Sequence, residues 1–104
     1  MGASAAGLEL AASGDAAPNY ADDYGPAQVF EVRHVDGAAI RIGRVWPSCT
    51  CLQVVSGSGA HEAGQPAKIV VRQVEANATG QVILYVQTLS PASAILSLPV
   101  SVKQ

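Results

Sequence analysis

Residues 95–103 read ILSLPVSVK, and the stretch splits cleanly by parity: Leu96, Leu98, Val100 and Val102 against Ser97, Pro99, Ser101 and Lys103. A two-residue period places the four aliphatic side chains on one face of an extended chain and cannot form a helical stripe. A strand with one apolar face has to bury that face against a second layer. Pro99 falls on the polar parity. It has no N–H to give to a ladder, so it belongs on an edge strand, a strand start or a bulge. The spacing therefore predicts a strand at a sheet edge, or one with Pro99 on its unpaired side.

The same pattern recurs upstream in shorter pieces. QVFEVRH (28–34) is rich in strand formers, and Asp36-Gly37 after it is a hairpin signal leading into IRIGRVW (40–46). Ile40 and Ile42 share a parity that Val45 breaks, and a bulge near Gly43 would restore the facing. LQVVS (52–56) reads as a brief strand and GSGAHEAGQP (57–66) as a loop. Ile69 and Val71 face away from Arg72, NATG makes a turn, Val82, Leu84 and Val86 share a face, and SPAS turns again. No segment reads as a helix longer than a turn. About seven short strands, with turn signals roughly every ten residues, indicate an all-β sandwich or barrel. One-sided faces and few strands favour the sandwich. Residues 1–21, rich in Ala, Gly, Ser and Asp, read as a loose lead-in, with one possible weak strand at Leu8 and Leu10. The domain proper is expected over 22–104.

A chain of 104 residues has the size of one domain. With 49% apolar and 13% charged residues it can fill a core, but Trp46, Phe30, Tyr20, Tyr24 and Tyr85 are its only aromatics, so that core must be aliphatic. The net charge of −2 is scattered, and no basic stripe with interleaved aromatics points to nucleic acid. No apolar run is long enough to span a bilayer, and no charged-then-apolar leader is present. Met1-Gly2 reads as a cloning remnant ahead of a mature start.

Several stretches together resemble an uncharacterised bacterial family of Ig-like domains with a Ser-Cys-Gly-Cys-Thr signature, related to Hydin-type domains. DDYG (22–25) is similar to the family's Asp-Phe-Gly entry, and FEVRHVDGAAIRIGRVWPSCTC (30–51) to its first hairpin and cysteine motif. HEAGQPAKIVVRQV (61–74) resembles its Pro-Gly-Glu turn and following strand, and TGQVILYVQT (79–88) its Gly-led strand. The likeness spans about residues 22–103. Thr50 replaces the glycine between the cysteines, Leu52 stands where a threonine is usual, Ala63-Gly64-Gln65 stands in for Pro-Gly-Glu, and the stretch from Gly25 to Phe30 is shortened. The resemblance implies an Ig-like antiparallel β-sandwich in the periplasm or outside the cell. It implies a non-catalytic module that binds or scaffolds a protein or peptide partner through sheet edges or loops.

The chemistry-bearing feature is the pair Cys49 and Cys51, the only cysteines. A bridge between such close neighbours closes almost no loop and removes little unfolded-state entropy, so the pair is a poor staple. If Cys-Thr-Cys is extended, as β-branched Thr50 favours, both side chains share a face with Cα atoms about 6.6 Å apart. A disulfide wants Cβ atoms near 4 Å and so requires a bend. Three readings stay open: two half-buried thiols that merely pack, a copper or zinc site on the two thiolates, or a Cys49–Cys51 disulfide acting as a redox couple. An oxidising compartment favours the last. His34 and His61, the only histidines, are the candidate further ligands: either could approach the pair, and nothing in the spacing shows which does.

Other candidates carry less. Trp46 is expected to pack beside Pro47 rather than to offer an open platform. Asn77-Ala78-Thr79 fits a glycosylation sequon but reads better as a turn in a bacterial chain. Asp22 and Asp23, being adjacent, diverge and form no acid/base pair. Ser48 and Ser56 lack His and acid partners, and Gly57-Ser58-Gly59 precedes no helix that could hold a phosphate. No catalytic residue is assigned.

Overall fold

The computed structural model describes residues 3–22 and 25–103, with side chains over 4–14 and 27–103. They form two antiparallel sheets packed face to face. In chain order the strands are β1 (Ala3–Ala5), β2 (Leu8–Asp22), β3 (Gly25–His34), β4 (Ile40–Pro47), β5 (Leu52–Ser56), β6 (Gly59–His61), β7 (Ala67–Gln73), β8 (Gln81–Ser90) and β9 (Ala94–Ser101). One sheet has the order β1-β2-β3-β7-β5 and the other β6-β4-β8-β9. The all-β sandwich read from the alternation is the fold. The described residues hold nine strands rather than about seven, because β1 and β6 add three residues each. The second of these lies inside the stretch read as a loop.

Each long strand buries one parity. Phe30 and Val32 of β3, Ile69 and Val71 of β7, Ile40 and Ile42 of β4, Leu84 and Val86 of β8, and Leu96 and Leu98 of β9 meet in one aliphatic cluster. Leu8 and Leu10 belong to it too, at 1% and 0% exposure. The lead-in is thus a strand of the sandwich: β2 pairs with β3 from Leu8 opposite His34 to Asp22 opposite Gly25. A domain start at 22 would cut through that hairpin. Asp23 and Tyr24 of the DDYG stretch, Met1-Gly2 and Gln104 lie outside the described residues.

The Asp36-Gly37 turn forms, with Gly37 at φ +70° and its N–H donating to His34 O at 3.0 Å. It does not close a hairpin, however, because β3 and β4 belong to opposite sheets. The apolar faces of the two strands pack against each other across the core, and this layer contact outweighs edge pairing. Every connection from β3 to β8 crosses between the sheets in the same way.

The Gly43 bulge is present: three steps from Ile42 to Val45 on β4 match two from Thr88 to Val86 on β8, and Val45 regains the core. β9 is an edge strand, as Pro99 required. Ser101 O accepts from Gln28 Nε2 at 3.3 Å, so the backbone of Ser101 points away from β8. By alternation Pro99 points the same way, and its missing N–H takes nothing from the ladder.

Candidate functional site: the cysteine corner

The two cysteines occupy the crossover from β4 to β5. Pro47 ends β4, and Ser48 makes the last ties to β8: its N–H donates to Ile83 O at 2.8 Å, and its Oγ accepts from Ile83 N at 2.9 Å. The chain must then leave one sheet and enter the other by Leu52. It cannot do so extended. Cys49 and Cys51 lie with Cα atoms 5.2 Å apart and their sulfurs in disulfide contact. The extended Cys-Thr-Cys favoured by Thr50 is therefore corrected to a turn, the crossover overriding the local preference.

The corner is held from the β7–β8 side. Cys51 O accepts from Val74 N at 2.8 Å. Exposed Thr50 donates its Oγ1 hydrogen to Glu75 Oε1 at 3.0 Å. Asn77 Nδ2 donates to Cys49 Sγ at 3.2 Å and reaches Cys51 Sγ at 3.6 Å. The same Asn77 uses Oδ1 to accept from Thr79 N at 2.9 Å and Gly80 N at 3.2 Å, so the sequon stretch is a side-chain-capped turn. Gln73, 8% exposed, joins the chain end to this loop by donating to Lys103 O and Glu75 O and accepting from Lys103 N.

The two sulfurs differ in access. Cys51 is 1% exposed and belongs to the core, whereas Cys49 is half-buried and lines an open groove of about 560 Å³ with Leu52, Gln53 and Val74. Sequence reasoning missed Asn77, Gln73 and Glu75 as the partners of this corner.

The histidines are elsewhere. His61 stands opposite Ile40, at the other end of β4 from the cysteine turn. Seven residues of strand put about 23 Å between those ends. Its Nε2 is engaged with Gly57 O at 2.8 Å. His34 ends β3 on the same far side, its Nδ1 accepting from Asp36 N at 3.2 Å. Neither stands beside the sulfurs, so His34 and His61 do not complete a metal site with Cys49 and Cys51. Among the described residues no three His, Cys, Asp or Glu side chains gather to hold an ion.

Trp46 lies on the outer face of its sheet. Tyr85 stacks on its ring, with centroids 5.3 Å apart and planes at 16°, and the Arg44 guanidinium lies 4.8 Å from the ring centroid. It packs against its neighbours, as expected.

Because so short a ring constrains the unfolded chain little, the chain with its bridge reduced is expected to be only about 1.5 kcal/mol less stable in urea unfolding than the oxidised chain. A loss above about 3 kcal/mol, the range of bridges closing long loops, would show the corner collapsing without its bridge. Comparison of the chain with protein-family models, curated proteins and solved structures finds no match.

Proposed function

We propose that this is an Ig-like, exported, non-catalytic module that binds or scaffolds an extended polypeptide at the free edge of β5. The order β2-β3-β7-β5 over β4-β8-β9 supports the Ig-like reading. It follows the A-B-E-D over C-F-G arrangement of such sandwiches, with β1 and β6 as additions. A bridged cysteine pair supports a compartment outside the cytoplasm.

The observation that carries the binding reading is the contrast between edges. On the second sheet the edge stretches longer than three residues, β9 and the part of β4 beyond short β6, each carry a proline. Pro99 turns its N towards the free side of β9. Pro47 does the same on β4, because its neighbour Ser48 faces β8. β5 has no proline. Cys51 O bonds β7, so alternation turns Gln53 towards β7 and leaves the backbone of Val54 facing outward. An extended segment can add there as a further strand. Hydrogen exchange tests this: peptides selected on the immobilised domain should slow exchange of the Val54 amide. Selected peptides that leave Val54 exchanging at its free rate refute the edge reading.

A second reading, a redox couple at Cys49 and Cys51, is favoured by the half-buried sulfur of Cys49 beside an open groove. The copper or zinc form of the thiol site has less support, since two sulfurs would be its only Cys or His ligands.

A further inference from the structure

Resting on the redox reading, we infer that Cys49 and Cys51 have fixed and different roles in thiol–disulfide exchange. Cys49 is the sulfur that accepts an incoming thiol, Cys51 is the departing one, and the thiol arrives on an extended polypeptide laid along β5. Three observations converge.

The first is access. Attack on a disulfide runs along the line of the bridge towards one sulfur, and the other leaves. Cys51 is enclosed by the core at 1% exposure, so nothing can approach it from outside, whereas Cys49 opens on the groove. The second is the set of donors on the sulfur that carries the mixed disulfide. As the Cys49–Cys51 bond breaks, its electron pair passes to Cys51 Sγ. Cys49 Sγ keeps Asn77 Nδ2 at 3.2 Å and Cys51 N at 3.1 Å as donors, the Asn77 amide held in place by its Oδ1 bonds to the next turn. Hydrogen bonds to a developing thiolate favour its departure, so they favour release of Cys49 when the mixed disulfide is resolved. The third is the route. The groove beside Cys49 is also lined by Leu52 and Gln53, the first residues of β5, and β5 is an edge strand whose Val54 backbone faces outward. A strand added to β5 therefore passes the accessible sulfur.

The step balances. A partner thiol gives up its proton and its sulfur bonds Cys49 Sγ, while the released Cys51 thiolate takes up a proton. The products are a partner–Cys49 mixed disulfide and a Cys51 thiol. When the partner carries a second thiol, its sulfur displaces Cys49 from the mixed disulfide. The partner is then oxidised by two electrons and the pair reduced to two thiols.

The test uses the full oxidised chain and three probes: a short Thr- and Val-rich peptide with one cysteine, the same peptide N-methylated at alternate residues, and dithiothreitol. After brief reaction with the first peptide, acid quench and alkylation, fragment masses should place the peptide on Cys49 and the alkyl group on Cys51. The unmethylated peptide should react at least about fivefold faster than its N-methylated twin, because methylation removes strand pairing but leaves the thiol. Peptide on Cys51, or shared between the sulfurs, overturns the assignment of roles. Equal rates for the two peptides overturn the β5 route. Failure of dithiothreitol to open the bridge in the folded chain, followed by thiol counting, overturns the redox reading beneath both.

Discussion

Gly57→Ala is expected to lower the stability of the domain by about 4 kcal/mol, the sum of a backbone cost and a steric one. Gly57 sits at φ +142°, a region that side chains rarely enter. A Cβ built there would lie 2.8 Å from Ile69 Cγ1 and 3.1 Å from Ile69 Cα. Ile69 cannot retreat: it is fully buried in the middle of β7, opposite Phe30 of β3. Backbone strain in such regions costs about 1–3 kcal/mol, and overpacking a filled core a similar amount. Gly37 is the matched control, at φ +70° with nothing within 4 Å of its built Cβ. Gly37→Ala should cost only about 1 kcal/mol, the conformational part alone. Urea unfolding of the two variants separates the terms. If they lose the same stability, the approach of Gly57 to Ile69 is looser than these distances.

That close approach was not legible in the sequence, where Gly57-Ser58-Gly59 reads only as a loop. What was legible is whatever a buried face imposes locally. The parity of Leu96, Leu98, Val100 and Val102 foretold the core face of β9, the slip at Gly43 foretold the bulge, and Pro99 foretold the edge. Which sheet each strand joins was not legible. Asp36-Gly37 has the same turn chemistry whether the next strand pairs beside β3 or crosses to the facing layer, and only the packing of Ile40 and Ile42 across the core decides. β1 and β6, at three residues, are too short for alternation to register.

The site was legible in part for a similar reason. The nearness of Cys49 and Cys51 is written in the chain, but their bend is imposed by the crossover, against the extended preference of Thr50. Their partners come from far away: Asn77 is 28 residues from Cys49, and Gln73 is 30 from Lys103. Such bonds leave no local mark. The histidines failed as ligands because strand direction, invisible before the topology is known, carries His61 to the far end of β4.

Leu10→Ala puts the misread lead-in to the test and is expected to cost about 3–4 kcal/mol. Leu10 is 0% exposed, opposite Val32 of β3, and packed into the central cluster. Truncating such a side chain forfeits its transfer free energy and leaves a hole that the rigid sheets close only in part. The flanking Ala, Gly and Ser residues concealed this, since small side chains give little contrast between an inner and an outer face. Against a total stability of about 5–15 kcal/mol for a domain of this kind, the loss is large enough to move the unfolding midpoint far. Ile95→Ala, at a site 61% exposed on β9, removes an aliphatic side chain of the same size and should change stability by no more than about 0.5 kcal/mol. The pair of measurements places the domain boundary. Unequal losses in this order make β2 a structural strand of the sandwich, whereas a Leu10→Ala loss as small as that of Ile95→Ala would return the boundary to residue 22.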